Sequence, residues 1–292
     1  MVEVVTARHA GACYGVERAL RMVEECAEGR GEVHTLGPLI HNPIVVERLA
    51  ARGVTAVDGV EGLRPGSTVV IRSHGVVPEV VERARACGLE VVDATCPHVK
   101  KAHEGAAELA RSGYQVVVVG EDGHPEVEGI LARAGADAFV VGSAEEAARV
   151  PVGKRVGVVV QTTQSQKLLG AVVAALVPRV RELRVMNTIC AATVQRQEAA
   201  RELAGRSDAM VVVGGKNSGN TRRLAEVCAS RCRATFHIET PAELDASWFA
   251  GVRSVGVTAG ASTPADQVEA VVDALRRMLV AAGEGDGSDG RA

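Results

Sequence analysis

The chain has 292 residues, a formal net charge of -3 and only 2% aromatic residues. Nucleic-acid binding is disfavoured, because there is no basic excess and there are few rings to stack on bases. No apolar run approaches the roughly 18 residues of a membrane span, and Glu3 interrupts the N-terminal apolar stretch. We therefore expect a soluble cytoplasmic protein that binds neither nucleic acid nor membrane.

Val-rich runs alternate with amphipathic helical patterns along the chain. Strands are predicted at 2–5, 68–72, 90–93, 115–119, 138–141, 155–160, 209–213, 233–238 and 253–257. Helices are predicted at 16–27, 44–51, 78–86, 99–111, 126–134, 164–176, 194–204, 221–230 and 264–279. This alternation predicts an α/β fold with parallel sheets, whose ligand sites lie at the carboxyl ends of the strands.

Three cysteines follow predicted strands and precede predicted helices. They are Cys13 in Gly-Ala-Cys-Tyr-Gly-Val, Cys96 in Asp-Ala-Thr-Cys-Pro and Cys190 in Thr-Ile-Cys-Ala-Ala-Thr. Their near-regular spacing indicates three similar segments, each offering one thiolate to a common point. The other four are expected to face the core: Cys26, Cys87, Cys228 and Cys232. Seven scattered cysteines favour thiols or a metal site over a disulfide scaffold.

Three histidines also lie in loops that open helices: His41, His74 and His124. Any one of them alone is read as a capping or satisfied loop residue, but three at equivalent strand ends favour a shared site. A zinc site is an alternative, because cysteine and histidine together suit zinc. Structural zinc sites are usually built from closely spaced pairs, and no Cys-x-x-Cys or His-x-x-x-His pair lies near these positions.

Three further loops have the chemistry of anion binding, at residues 161–164, 214–221 and 258–264. The loop at 214–221 follows a strand and opens a helix, so its backbone N–H groups are expected to point at an anion. It is not a Walker loop, because Asn217 rather than Ser or Thr follows Lys216. Each loop alone is explained by helix capping. Together they offer hydroxyls and amides with almost no Arg or Lys, which suits a small diphosphate.

In these motifs the chain resembles the IspH/LytB family, the 4-hydroxy-3-methylbut-2-enyl diphosphate reductases, from about Val5 to Leu279. The resemblance implies three similar α/β domains with mostly parallel sheets, arranged as a cloverleaf around a central iron-sulfur cavity. The expected boundaries are 1–95, 96–188 and 189–281, followed by a disordered tail at 282–292.

The resemblance also implies an activity. Family members convert (E)-4-hydroxy-3-methylbut-2-enyl diphosphate to isopentenyl diphosphate and dimethylallyl diphosphate, the last step of the methylerythritol phosphate route to isoprenoids. The expected cofactor is a 4Fe-4S cluster held by Cys13, Cys96 and Cys190, with one iron open to the substrate. Electrons are expected from an external ferredoxin or flavodoxin, and the chain is expected to be a monomer.

Roles for individual residues follow from the same resemblance. Glu126 matches the proton donor, Thr162 the threonine that positions it, and His124 a residue that feeds protons to it. The residues that match diphosphate ligands are His41, His74, His124, Thr162, Ser218, Asn220 and Ser262. Without the resemblance, Glu126 reads as a first-turn helix carboxylate that the helix dipole favours.

The chain departs from the family pattern at a few positions. Gly219 stands where the phosphate loop usually has a second serine, Thr221 replaces its last serine and Gly215 replaces another. Tyr14 stands where a small residue or Phe is common. Two alternatives therefore stay open: a diverged paralogue that binds a cluster and a diphosphate without turnover, and a zinc hydrolase that uses the same thiols and histidines.

Overall fold

The structure of the protein, a computed structural model, describes residues 2–29 and 31–285. The strands are β1 (Glu3–Thr6), β2 (Val33–Leu36), β3 (Val54–Val57), β4 (Thr68–Ile71), β5 (Glu90–Asp93), β6 (Gln115–Val119), β7 (Phe139–Val141), β8 (Arg155–Val160), β9 (Glu182–Met186), β10 (Ala209–Val213), β11 (Thr235–Ile238) and β12 (Ser254–Ala259). The α-helices are α1 (Tyr14–Gly29), α2 (Pro43–Ala51), α3 (Pro78–Ala86), α4 (Pro97–Arg111), α5 (Pro125–Ala134), α6 (Ala144–Arg149), α7 (Gln166–Leu176), α8 (Ala191–Ala204), α9 (Gly219–Ala229) and α10 (Ala265–Gly285).

The strands form three four-stranded sheets with the orders β1-β12-β10-β11, β3-β2-β4-β5 and β7-β6-β8-β9. Every pairing in them is parallel. The predicted α/β fold class with parallel sheets is therefore confirmed. Because neighbouring strands run parallel, their carboxyl ends meet at one edge of each sheet.

The chain divides into two compact units. The first comprises Met1–Cys13, His41–Pro43 and Ala192–Ala292 and contains the sheet that includes β1. The second comprises Tyr14–Ile40 and Ile44–Ala191 and contains the other two sheets. In the first unit, β1 pairs with β12, which lies near the end of the chain. The predicted domain boundaries stay a prediction.

Aliphatic side chains fill the cores. In β6, the residues Val116 to Val119 are completely buried, and in β10 the same is true from Ala209 to Val213. Strands buried on both faces read as continuous apolar runs rather than alternating ones. This explains how a chain with so few aromatic residues packs its sheets.

Three strands and one α-helix were not predicted from the sequence. β2 is a fully buried central strand, but His34 and Thr35 interrupt its apolar pattern. β3 and β9 lie at sheet edges and are partly exposed, and α6 has only six residues. Such elements depend on tertiary pairing more than on their own periodicity.

The end of the chain is only partly described. α10 continues to Gly285, so the first residues of the predicted disordered tail are helical, whereas residues 286–292 lie outside the described residues. Among the helices that the structure describes, none combines the length and the apolar character needed to cross a membrane.

Candidate functional site

The carboxyl group of Glu126 is the most unusual titratable group of the second unit. α5 begins at Pro125, and the side chain of Glu126, at its second residue, is only 1% exposed. The backbone N–H of Thr162 donates to Oε1 at 2.6 Å, and the Thr162 hydroxyl donates to Oε2 at 2.9 Å. Burial raises the pKa of Glu126 to about 7, even though both hydrogen bonds from Thr162 act to lower it. The carboxyl is therefore able to hold a proton near neutrality.

Two histidines, His124 and His74, lie in the same cluster of residues as Glu126 and Thr162. His124 caps α5, and its Nδ1 accepts a hydrogen bond from the backbone N–H of Glu126 at 3.0 Å. The rings of His74 and His124 meet edge to face, with centroids 5.6 Å apart. The structure thus brings together four residues that the sequence identified, from the ends of β4, β6 and β8.

Two of the three motif cysteines are anchored to the same loops. The N–H of Cys190 donates to the carbonyl of Thr162 at 3.0 Å, and the N–H of Cys96 donates to the carbonyl of Ser73 at 3.0 Å. Both cysteines are partly exposed and stand immediately before a helix, α8 and α4 respectively. Their backbones are therefore held beside the loops that carry Thr162 and His74.

The first unit contains the third motif cysteine and the serine loops. The N–H of Cys13 donates to the carbonyl of Ala261 at 3.1 Å, and its thiol is also partly exposed. The Ser262 hydroxyl donates to the carbonyl of His41 at 3.2 Å and lies 3.4 Å from the Ser218 hydroxyl. His41, Ser218 and Ser262 are therefore neighbours in space, as the anion-binding prediction requires.

The start of α9 has the features of an anion site. Ser218 caps this helix by accepting from the N–H of Thr221, and Asn220 Nδ2 is a buried donor without a partner among the described residues. A buried orphan donor at a helix N-terminus fits an oxyanion. Lys216, the cation of the loop, forms an ion pair with Glu243, and its N–H donates to Glu239. The donors that remain for an anion are neutral ones.

Close packing explains two of the departures from the family pattern. A Cβ atom on Gly215 would lie 2.7 Å from the carbonyl oxygen of His41, which is too close for any larger residue without a shift. The Thr221 side chain is fully buried between Gly214 and Gly260, each of which would carry a Cβ within 3.0 Å of its hydroxyl oxygen. Tyr14, by contrast, is 61% exposed. Thr221 therefore acts as a packing residue in this loop.

Asn42 is a polar residue of the first unit to which the sequence reasoning gave no role. Its side chain is 1% exposed and donates to the carbonyl of Ser262 and to Gln267 Oε1, both at 2.8 Å. Gln267 in turn donates to the carbonyl of Glu239 at 2.6 Å. These hydrogen bonds form a relay that holds Asn42, the residue after His41, against the loop that contains Ser262. The only sequence signal was an Asn beside a motif histidine, and the distant Gln267 carried none.

The remaining cysteines differ from the motif cysteines. None of the seven, all of which the structure describes, forms a disulfide. Cys26, Cys228 and Cys232 are buried, and burial raises the pKa of the Cys228 thiol to about 12. The expectation that Cys87 faces the core is wrong, because it lies exposed where α3 ends.

The three motif cysteines have the chemistry that an iron-sulfur cluster requires. Each is a partly exposed thiol immediately before a helix, where the helix dipole favours negative charge. No three His, Cys, Asp or Glu side chains in the described residues lie close enough together to share one metal ion. A cluster does not need such a group, because each thiolate binds a separate iron. The donor set therefore fits the predicted cofactor.

The fold and these residues define an α/β enzyme with a buried acid, a helix start that offers neutral donors and three partly exposed thiols. The sequence model of the family described as LytB protein matches residues 4–276, and the chain belongs to this family. The predicted family membership is thus confirmed, and it agrees with the predicted iron-sulfur oxidoreductase.

Curated relatives cover nearly the whole chain. The chain is 54% identical over 277 residues to the 4-hydroxy-3-methylbut-2-enyl diphosphate reductase of Geobacter sulfurreducens, covering 95% of this chain and 98% of the relative. It is 50% identical over 274 residues to the enzyme of the same name from Citrifermentans bemidjiense, covering 94% and 97% of the two chains.

Solved structures agree with these relatives. The E-1-hydroxy-2-methyl-but-2-enyl-4-diphosphate reductase from Plasmodium falciparum matches with a TM-score of 0.89 at 26% identity, covering 93% of this chain and 87% of that one. An (E)-4-hydroxy-3-methyl-but-2-enyl diphosphate reductase, described as the terminal enzyme of the non-mevalonate pathway, matches with a TM-score of 0.71 at 46% identity and covers 95% and 100%.

Proposed function

We propose that this chain is a 4-hydroxy-3-methylbut-2-enyl diphosphate reductase, which removes the allylic hydroxyl of its substrate and yields isopentenyl and dimethylallyl diphosphate. The observation that carries the proposal is Glu126, a fully buried carboxyl with a pKa of about 7 that two hydrogen bonds from Thr162 hold in place. The relatives carry the same enzyme name, so the predicted activity and oxidoreductase class are confirmed.

Glu126 is proposed to donate a proton during the reaction. A catalytic acid works best when its pKa lies near the operating pH, and burial brings Glu126 to that range. Thr162 supports it by fixing both carboxyl oxygens, which leaves the acid a single orientation. Because His124 Nδ1 accepts from the Glu126 N–H, the neutral ring carries its proton on Nε2. That nitrogen is then able to donate a hydrogen bond to a phosphate oxygen, whereas feeding a proton toward Glu126 requires the ring first to be protonated on Nδ1 and to release the Glu126 N–H.

The diphosphate is proposed to bind to neutral donors. The buried Nδ2 of Asn220 and the N-terminus of α9 supply donors, and the Ser218 and Ser262 hydroxyls lie beside them. His41, His74, His124 and Thr162 complete the proposed ligand set. Neutral donors that are fixed in advance bind a small anion at little cost in ordering side chains.

Cys13, Cys96 and Cys190 are the residues that would hold a 4Fe-4S cluster with one open iron. When bound, this cluster supplies electrons and a Lewis-acid site for the substrate oxygen. The proposal also includes an external one-electron donor such as ferredoxin or flavodoxin, a cytoplasmic monomer, and three domains with boundaries near residues 95 and 188.

The proposal is tested with anaerobically reconstituted holoenzyme. Iron and sulfide are quantified, and the conversion of the allylic diphosphate is then followed with dithionite as the electron source. We expect iron, sulfide and both five-carbon diphosphates. Bound zinc without sulfide would favour a hydrolase, and a loaded cluster without turnover would favour a diverged binding protein; either result would overturn the proposed function.

A further inference from the structure

His103 is a buried histidine of the second unit that the proposed reaction does not use. It lies in the middle of α4, the helix that begins directly after Cys96, and only 5% of its surface is exposed. Burial, reinforced by the positive charge of Arg133, lowers the pKa of His103 to about 4. The ring is therefore neutral at physiological pH.

The ring of His103 fills space that two glycines leave open. A Cβ atom on Gly75 would lie 2.9 Å from Cε1 of His103, and a Cβ atom on Gly129 would lie 2.7 Å from Nε2. Cβ atoms in proteins essentially never come so close to another heavy atom. The imidazole is thus wedged between two backbone segments and fixes how closely they approach.

Both segments carry residues of the proposed site. Gly75 directly follows His74, and Gly129 lies in α5, one turn after Glu126. A glycine inside a helix costs about 1 kcal/mol relative to alanine, so Gly129 needs a packing reason, and the ring supplies one. Within the same helix, the Arg133 side chain donates to the Gly129 carbonyl at 2.6 Å.

We propose that His103 is a positioning residue that sets the spacing between the loop carrying His74 and the helix carrying His124 and Glu126. The quantity that it controls is the edge-to-face contact of His74 with His124, whose centroids are 5.6 Å apart. This role rests on the proposed function, because those residues are assigned there to the substrate and the proton. His103 itself is not assigned a contact with substrate.

The first test compares His103→Ala with His34→Ala in the reconstituted holoenzyme. His34 is an equally buried histidine of the same unit, in β2, and is not part of the proposed site. We expect His103→Ala to raise KM and to weaken inhibition by inorganic diphosphate about tenfold or more, because small displacements of site residues are costly. Iron content should stay normal, and His34→Ala should lose stability without changing KM.

The second test starts from Gly129→Ala, a variant that keeps His103 and whose kinetics do not depend on whether His103→Ala folds. Gly129→Ala would stabilise an ordinary helix, but here the new methyl group meets His103. We expect this variant to lose about tenfold in kcat/KM, and the double variant Gly129→Ala/His103→Ala to be no worse than His103→Ala alone. Such non-additivity is the sign of a direct contact.

Several results would overturn the positioning role. These are a normal KM and normal diphosphate inhibition in His103→Ala, equal KM effects in His34→Ala, or normal kinetics in Gly129→Ala. A wild-type protein without turnover would refute the proposed function instead, so the two failures are distinguishable.

Discussion

Replacing Glu126 by glutamine should remove a specific pH dependence of stability. Burial raises the pKa of this carboxyl to about 7 in the folded chain, against 4.5 for an exposed group. Because the folded-state pKa is raised, folding takes up a proton between these pH values. The associated stability is fully present below pH 4.5 and is lost as the pH rises through about 7. The difference between the two pKa values corresponds to about 3 kcal/mol.

Glutamine keeps the shape of the side chain and is neutral at every pH. Its oxygen accepts from the Thr162 N–H, and its amide donates to the Thr162 hydroxyl, so both contacts survive in modified form. The free energy of unfolding is measured in urea at pH 5, 6, 7 and 8. We expect the value for Glu126→Gln, relative to the wild type, to increase with pH by up to about 3 kcal/mol. Glu128→Gln, which changes an exposed carboxylate on the same helix, should not gain in this way.

Turnover should show the same preference for low pH. The wild-type kcat should fall above pH 7, where Glu126 loses its proton, and Glu126→Gln should lower kcat by about 10²- to 10⁴-fold with the cluster intact. Parallel stability curves for the wild type and the variant would show that the carboxyl does not titrate near 7. A near-normal kcat in Glu126→Gln would remove this residue from the mechanism.

Three further substitutions address the thiols and the anion pocket. Cys96→Ser should reduce bound iron and sulfide, whereas the exposed Cys87→Ser should not; full loading of Cys96→Ser would contradict the ligand set. Gly219→Ser adds a hydroxyl donor at the start of α9 and should lower KM about tenfold or more, since a hydrogen bond to a charged group contributes about 1.5 kcal/mol or more; an unchanged KM would mean that this position does not face the phosphate. Asn42→Asp replaces two donated hydrogen bonds with repulsion from the Ser262 carbonyl and Gln267, and it should raise KM at least tenfold with normal iron content; an unaltered KM would limit the relay to a stabilising role.

Hydrophobic periodicity predicted the elements whose buried side chains follow a regular pattern along the sequence. The predicted helix at 78–86 coincides with α3, and the predicted strand at 115–119 coincides with β6. β2 was missed although it is a central strand, because His34 and Thr35 are polar residues that only the finished sheet buries. Burial of a polar residue depends on neighbours that a local window does not contain.

The site was predicted as a set of residues rather than as a geometry. Local reasoning read Glu126 as a first-turn helix carboxylate, and only the fold shows that Thr162, at the end of another strand, donates two hydrogen bonds to it. His103 looked like any histidine in an amphipathic helix, because the two glycines that enclose it are far from it in sequence. Motifs identify residues that meet ligands, whereas the supporting contacts are dispersed along the chain.

The pairing of the two ends of the first unit has a consequence for biosynthesis. β1 pairs with β12, placing Glu3 opposite Ser254, and Asn42 bonds to Gln267. A ribosome adds about 5–20 residues per second. β1 and Asn42 are therefore synthesised on the order of 10–50 s before β12 and Gln267. The sheet that contains β1 is therefore completed only after β12 has been synthesised, and a nascent chain arrested before α10 lacks Gln267, the hydrogen-bond partner of Asn42.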